Sequence, residues 1–210
     1  MKILTMKFGG TSVADIDRIR AVRDIISDEI KDGWNVVAVV SAMSKETNKL
    51  IDLAKQVGVE NLVDPEYDAL ISTGEDVSSS LLAIALNSIE ISSRSWRGWQ
   101  LPIRTDSFHS NAKIEEINTN QIINSFKEGV KVAVVSGFQG IEQAGRITTL
   151  GRGGSDTSAV AIAAAIDAER CDIYTDVSGI YTTDPRIKRN ASKLKKISFE
   201  EMLEMASLGA

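Results

Sequence analysis

Residues 3–12 read ILTMKFGGTS: an apolar strand runs into paired glycines, and hydroxyl side chains follow where a helix would start. Glycine lacks a Cβ, so the backbone amides of Gly9 and Gly10 can approach an anion, and a helix N-terminus adds positive potential. Lys7 adds a full positive charge at the end of the strand. The stretch therefore predicts a phosphate-binding turn. The alternative is a tight strand-to-helix turn beside a surface lysine.

Short apolar runs alternate with helical patterns along the rest of the chain. The predicted strands span residues 3–8, 36–43, 130–138 and 171–177. Near-continuous apolar runs are typical of parallel strands that helices cover on both faces. We therefore predict an α/β fold with an open, mostly parallel sheet sandwiched between helices. The 210 residues are enough for one substantial core, so one domain over residues 1–210 is expected.

Apolar residues at spacings of three and four predict the helices. The first helix carries Ile16, Ile19, Val22, Ile26 and Ile30, and further helices are predicted at 47–57, 78–89 and 119–128. Ser155 or Asp156 is expected to cap an alanine-rich helix that runs to about Glu169. Residues 137–154 are rich in glycine and predict a β-hairpin or a long loop. Ser198 and Glu201 form a capping box for a final helix at 199–208.

Composition excludes several classes of protein. The net charge of −5, from 24 basic and 29 acidic residues, leaves no basic stripe for nucleic acid. The apolar runs are shorter than the ~20 residues of a membrane span, and the start does not resemble a signal peptide, so a cytoplasmic location is expected. Cys171 is expected to be a small buried hydrophobe. His109 is the single histidine, so it is expected to be a loop residue, since triad and zinc chemistry lack partners.

A second glycine-rich stretch, TLGRGGSD at residues 149–156, also opens onto a helix. Here Arg152 supplies a planar cation suited to a carboxylate or a phosphate. Asp156 would either cap the helix or hold Lys7 in position, and the two roles can coexist. Neither glycine stretch is a Walker A loop or a GxGxxG fingerprint. Two such stretches in one chain weaken the interpretation that either is an ordinary turn.

Two other segments carry grouped polar residues. YTDVSGIYTTDPR, residues 174–186, follows a predicted strand, and ligands bind at the carboxyl ends of parallel strands. A plain surface loop is the alternative, because Gly, Thr, Asp and Pro are common turn formers. STGED, residues 72–76, places Glu75 just before a predicted helix, where a carboxylate gains from the helix dipole. Taken alone, that position indicates only capping.

Four segments, in this order and at these separations, resemble the aspartate kinase family within the amino-acid kinase superfamily. They are KFGGTS, STGE, TLGRGGSDT and YTDVSGIYTTDPR, and the resemblance extends to SFEEMLEMASLGA at residues 198–210. It implies a carbamate kinase-like fold, ATP and Mg²⁺ as cofactors, and L-aspartate as the substrate. The implied reaction makes 4-phospho-L-aspartate, the first step of lysine, threonine and methionine biosynthesis. A homodimer is also implied.

The resemblance also implies roles for individual residues. Lys7 would be the catalytic lysine that contacts the transferring phosphate, and Asp156 would organise the lysine side of the site. The other residues expected to hold ATP are Gly9, Gly10, Ser41, Thr175, Asp176, Tyr181, Asp184 and Arg186. Glu75 would receive the α-ammonium of aspartate, while Arg152 and Ser155 would take its carboxylate end. The substrate site would also include Thr47, Gly153 and Gly154.

In such a reaction the main task of the protein is to position the two substrates. The side chain of free aspartate has a pKa of ~3.9, so the nucleophile is ionised at neutral pH and needs no general base. Family members continue with the rest of the kinase domain and usually with two ACT domains, so the chain is expected to be C-terminally incomplete. The alternatives are a sister kinase that acts on glutamate, acetylglutamate, carbamate or UMP, and a truncated, non-catalytic ATP-binding module.

Overall fold

The computed structural model describes residues 1–58, 63–176, 179, 181–182, 188 and 190–198. The helices are α1 (Ile16–Lys31), α2 (Glu46–Gln56), α3 (Pro65–Ile71), α4 (Thr73–Asn87), α5 (Asn120–Lys127) and α6 (Gly154–Ala165). The strands are β1 (Ile3–Phe8), β2 (Asn35–Val40), β3 (Ser93–Trp96), β4 (Ile103–Thr105), β5 (Ile114–Ile117), β6 (Val132–Ser136), β7 (Gln139–Ile141), β8 (Ile147–Thr149) and β9 (Arg170–Tyr174). The chain divides into two units, residues 1–175 and 176–210.

The larger unit is built on a five-stranded sheet with the order β3-β6-β2-β1-β9. Each neighbouring pair of strands in this sheet is parallel. The sequence prediction of an open, mostly parallel sheet is therefore confirmed. Each of the four predicted strands is present within a few residues of its expected bounds.

Alternate residues of the central strands pack into two separate cores, one on each face of the sheet. In β2, the side chains of Val36, Ala38 and Val40 pack with α1 and α4, while Val37 and Val39 pack with α5 and α6. This division follows from the period of two in a strand. Burial on both faces explains why the predicted strands are apolar at nearly every position.

A second, four-stranded sheet has the order β5-β4-β7-β8. The antiparallel pair β7 and β8 is the hairpin that the glycine-rich residues 137–154 predicted. Gly140 lies in β7 where a Cβ would stand 2.5 Å from Cγ2 of Thr105, so only glycine lets β7 pass β4 this closely. Strands β3, β4 and β5 and helix α3 were not predicted from the sequence.

Helices α3 and α4 follow one another with only Ser72 between them. By length and composition alone, Pro65–Asn87 could cross a membrane, but half of that stretch is buried inside the protein. Helices in a protein core pass the same test. Helix α4 also begins at Thr73 rather than at the predicted residue 78. Its early glycine, Gly74, is needed because a Cβ there would lie 2.8 Å from Cβ of Ala42.

The start of α6 corrects the predicted cap. The capping position is Gly153, in the left-handed conformation with φ of 71° and with no side-chain hydrogen bond. Ser155 and Asp156 both lie in the first turn, so neither residue is the cap. The helix ends at Ala165 instead of about Glu169: Asp167 has a left-handed backbone, with φ of 54°, and the amide of Glu169 already donates to the carbonyl of Ile3 in β1. The predicted final helix at 199–208 lies outside the described residues.

Candidate active site

Lys7 is a buried lysine near the carboxyl end of β1. Its side chain is 9% exposed, and its Nζ lies 2.8 Å from Oδ1 of Asp156 in the first turn of α6. The contact is an ion pair without hydrogen-bond alignment. The alternation of β1 turns Lys7 toward the face of the sheet that α6 covers. The alternative of a surface lysine beside an ordinary turn is therefore excluded.

The turn after β1 is compact. The carbonyl of Gly9 accepts from the amides of Ser12 and Val13, at 2.9 and 3.3 Å. The amide of Gly9 donates to the carbonyl of Tyr174 at 3.3 Å, whereas that of Gly10 makes no hydrogen bond among the described residues. A Cβ on Gly10 would lie 2.9 Å from the carbonyl oxygen of Ala42. Gly10 therefore offers a free amide that only glycine can place there.

The sequence predicted that the turn leads directly into a helix, but in the structure it does not. Helix α1 begins at Ile16, and its N-cap is Asp15, whose carboxylate accepts from the amide of Arg18 at 2.8 Å. The Asp15 carboxylate therefore caps the N-terminus of α1. The positive helix end nearest to Lys7 is instead the start of α6, which Asp156 joins to Lys7.

The second glycine turn precedes α6. Gly151 and Gly153 both have left-handed backbones, with φ of 73° and 71°. Between them Arg152 is exposed and forms no ion pair within the described part of the chain. Ser155 is buried, and a Cβ on Gly137 would lie only 2.9 Å from the Cβ of Ser155. The turn thus presents an unpaired guanidinium at the start of the helix that holds Asp156.

Glu75 is buried in the first turn of α4, with 3% of the residue exposed. Its Oε1 accepts from the amide of Ala42 at 3.0 Å, and its Oε2 has no hydrogen-bond partner among the described residues. Burial raises the pKa of Glu75 from 4.5 to about 7, while the Ala42 amide opposes that rise. The free buried oxygen leaves Glu75 suited to a cationic partner.

The loop after β2 connects the glycine turn with α4. The carbonyl of Ser41 accepts from the hydroxyl of Ser78 at 2.7 Å, and its amide donates to the carbonyl of Phe8 at 3.1 Å. The adjacent Ala42 contacts both the Gly10 backbone and the Glu75 carboxylate. Thr47 is half-buried at the start of α2, after the same loop. The structure thus brings the turn after β1, the loop after β2 and the start of α4 together at one end of the sheet.

The residues predicted after β9 divide between the two units. Thr175 follows β9 directly, and the preceding Tyr174 stacks on Phe8 with ring centroids 4.7 Å apart. Asp176 and Tyr181 belong to the smaller unit, where Tyr181 forms an antiparallel bridge with Lys193. The predicted ATP-binding residues Asp184 and Arg186 lie outside the described residues.

Three residues with distinctive surroundings or backbone were missed by the sequence reasoning. The carboxylate of Asp76 accepts from the Ser136 hydroxyl at 2.9 Å and from the side-chain amide of Gln139 at 3.1 Å. Phe138 has a φ of 69°, which is uncommon for a residue other than glycine and is frequent at functional sites. Asp68 is completely buried beside the sole histidine, His109. The position of Asp76 next to Glu75 was the only signal in the sequence.

Comparison with known proteins identifies the family of the chain. The profile of the amino acid kinase family matches residues 2–210. An aspartokinase of Geobacillus stearothermophilus is 51% identical over the whole chain, and an aspartate kinase of Pseudomonas putida is 52% identical. Each match covers 51% of the relative. The chain thus spans about half the length of the curated relatives it matches.

Solved structures show the same similarity. The aspartate kinase of Synechocystis is 46% identical with a TM-score of 0.82, over 98% of this chain and 34% of that one. Aspartokinase III of E. coli, solved with aspartate and ADP, is 30% identical with a TM-score of 0.84, over 98% of this chain and 56% of that one. An isopentenyl phosphate kinase, 18% identical with a TM-score of 0.63, covers 99% of this chain and 88% of its own and shares the fold.

Proposed function

Because the chain belongs to the amino acid kinase family, we propose that it transfers the terminal phosphoryl group of ATP to the side-chain carboxylate of L-aspartate. The observation that carries this proposal is the ion pair between the buried Lys7 and the half-exposed Asp156, which joins the end of β1 to the start of α6. Similarity to aspartate kinases over the whole chain supports it. Residues 1–210 would then belong to the catalytic domain.

The nucleotide would lie with its phosphates at the end of β1. Lys7 supplies a charge, Gly10 supplies a free amide, and the first turn of α6 supplies helix amides. Ser41 lies at the end of the neighbouring strand. By the resemblance, the nucleotide would also contact Gly9, Thr175, Asp176, Tyr181, Asp184 and Arg186. The ammonium of Lys7, the free amide of Gly10 and the helix amides are donors that fit the oxygens of a triphosphate better than they fit an uncharged ligand.

L-Aspartate would be held by charges of opposite sign. Glu75 has a buried oxygen with no partner among the described residues, which an α-ammonium group would satisfy. Arg152 has an exposed guanidinium for the carboxylate end, and Ser155 follows in the same turn. Thr47, Gly153 and Gly154 would complete the site. The two charged groups match a zwitterionic amino acid.

Placement and charge neutralisation would then account for catalysis. Substrate aspartate is already ionised at neutral pH, so the site needs no general base. The main barrier is repulsion between an anionic nucleophile and an anionic phosphate, which Lys7 and the amide dipoles reduce. Asp156 keeps the Lys7 ammonium at the end of β1 by the ion pair at 2.8 Å. In-line alignment of the two substrates would account for the rest of the rate enhancement.

Magnesium fits this site as a partner of the nucleotide. Within the described residues, no group of three or more His, Cys, Asp or Glu side chains could hold a metal. Mg²⁺ is commonly held by substrate phosphates with one or two carboxylates, and Asp156, whose side chain is 46% exposed, could provide one of them. When bound, the ion would neutralise phosphate charge.

The proposal is tested by measuring acyl phosphate formation, trapped as a hydroxamate, with L-aspartate and L-glutamate in parallel. We expect turnover with L-aspartate and much less with L-glutamate. Equal or greater activity on L-glutamate would assign the chain to a sister kinase. Saturable binding of Mg-ATP with no acyl phosphate would instead favour a nucleotide-binding module. Light scattering on the purified protein tests the homodimer that the resemblance implies.

A further inference from the structure

We propose that Asp68 is a positioning residue that fixes the Arg152 turn relative to Glu75. This inference rests on the proposed function and adds to it a residue that sets the geometry of the aspartate site. Asp68 lies in α3, and its side chain is 0% exposed. A carboxylate taken out of water is costly unless hydrogen bonds replace its hydration. The donors that surround Asp68 show which segments it holds.

The donors to Asp68 come from two segments of the chain. Thr149 donates both its amide, at 3.0 Å, and its hydroxyl, at 2.7 Å. Ser110 also donates its amide, at 2.9 Å, and its hydroxyl, at 3.2 Å. Nδ1 of His109 lies 2.8 Å from Oδ2. One carboxylate therefore joins α3 to residues 109–110 and to the end of β8.

Both segments define the second glycine turn. Thr149 is the last residue of β8, three positions before Arg152. Residues 110–111 form the surface against which the turn packs, because a Cβ on Gly151 would lie 2.7 Å from Oδ1 of Asn111. The carbonyl of Thr149 also accepts from the amide of Ala112 at 2.9 Å. The turn is thus held on two sides by groups that Asp68 binds.

The hydrogen bonds that Asp68 accepts from residues 109–110 and Thr149 are called the Asp68 clamp. Helix α3 also connects this clamp with Glu75. Only Ser72 separates α3 from α4, whose first turn contains Glu75. Glu75 and Arg152 would hold the two charged ends of the substrate, and they come from distant parts of the sequence. Asp68 joins those parts through the helical stretch on which Glu75 lies. The clamp therefore sets the separation between the two groups and, with it, the selection of aspartate over an amino acid longer by one methylene.

The test compares wild type with Asp68→Asn, which keeps the side-chain volume but places an amide donor among donors. Calorimetric titration with L-aspartate should show affinity weakened about tenfold or more, since small misplacements of binding groups have large effects. Affinity for ATP should change less than about threefold, because Lys7 and Gly10 are not joined to Asp68. Hydrogen exchange should rise at the amides of residues 149–153. Discrimination against L-glutamate should fall.

Matched variants separate positioning from a loss of stability. Asp64 is the N-cap of the same helix, and its carboxylate accepts from the Glu66 amide. Asp64→Ala removes this cap and should lower the melting temperature with no selective loss of aspartate affinity. Thr149→Val removes one hydroxyl donor and should shift aspartate affinity in the same direction as Asp68→Asn, by less. Thr149→Ser keeps the hydroxyl and should resemble wild type.

Each outcome has one meaning. If the wild-type chain binds ATP but not L-aspartate, the proposed function fails, and the inference fails with it. If wild type binds L-aspartate and a folded Asp68→Asn variant binds it equally well, only the role of Asp68 is refuted. A parallel loss of affinity for ATP and L-aspartate, matched by Asp64→Ala, would show that Asp68 acts through stability alone.

Discussion

Nζ of Lys7 and Oδ1 of Asp156 lie 2.8 Å apart, and this contact connects the end of β1 with the start of α6. Lys7 is almost completely buried, whereas the side chain of Asp156 is 46% exposed. A buried ammonium requires a counter-charge, and a half-exposed carboxylate supplies one at a lower desolvation cost than two fully buried charges. The pair therefore keeps the cation between the end of β1 and the first turn of α6.

Removing the Lys7 charge should abolish most of the activity. In Lys7→Ala we expect turnover of L-aspartate to fall about 100-fold or more, on the scale of losing one preorganised group that stabilises charge. Circular dichroism should show an unchanged fold. Lys127→Ala, in the exposed last turn of α5, is the control and should retain wild-type turnover. Turnover near that of wild type in Lys7→Ala would contradict the assignment of the site.

A double-mutant cycle tests whether Asp156 acts through Lys7. Asp156→Asn alone should lower turnover, because the Lys7 ammonium loses its counter-charge. Since residues that act as a unit are strongly non-additive, the double variant should be no more than about twofold slower than Lys7→Ala. Turnover numbers for the four proteins measure the coupling. Fully additive losses would mean that Asp156 has a separate role in catalysis.

The parallel core was predictable because its strands are buried on both faces. β1, β2 and β6 contain nearly continuous apolar residues, and these runs were recognised in the sequence. β3, β4 and β5 were not, since SRSW, IRT and IEEI are three or four residues long and mix polar with apolar side chains. Such strands are stabilised by pairing with neighbouring strands, and this tertiary pairing leaves little pattern in the local sequence.

Motifs located the candidate site better than they described its geometry. The glycines marked both turns, because close backbone approach and left-handed conformations favour that residue. Neither the burial of Glu75 nor its hydrogen bond from the amide of Ala42, 33 residues away, could be foreseen. Asp68 and Asp76 likewise acquire their partners only through tertiary packing. Sequence patterns report local conformation, whereas these carboxylates are defined by long-range contacts.

Gly10 should tolerate a side chain less well than Gly9. A Cβ on Gly10 would lie 2.9 Å from the backbone oxygen of Ala42, whereas one on Gly9 would lie 3.4 Å, an ordinary contact distance, from Nζ of Lys7. We expect Gly10→Ala to lower the free energy of unfolding by about 1–3 kcal/mol, the usual cost of overpacking, and Gly9→Ala to cost less. Urea denaturation measures both. Equal stability of the two variants would show that the turn does not need the close approach.

The raised pKa of Glu75 should make stability depend on pH. Burial moves this pKa from 4.5 to about 7, so the folded state binds more protons than the unfolded state between those values. The free energy of unfolding should therefore fall as pH rises from about 4.5 to about 7, by about 3 kcal/mol. Glu75→Gln should lack this component, and Glu116→Gln, at an exposed position in β5, should retain it. Identical pH profiles for wild type and Glu75→Gln would refute the prediction.

Binding of L-aspartate should release protons from Glu75. An α-ammonium group beside the free Oε2 favours the ionised carboxylate and lowers its pKa, so a site that is about half protonated at pH 7 loses roughly half a proton on binding. Affinity for L-aspartate should consequently weaken as pH falls below 7, because the carboxyl must then ionise before it can pair. Calorimetry at pH 7 in two buffers of different ionisation enthalpy measures the proton count directly. Glu75→Gln should bind more weakly and with no proton release, whereas undiminished release in that variant would place the titrating group elsewhere and remove Glu75 from the aspartate site.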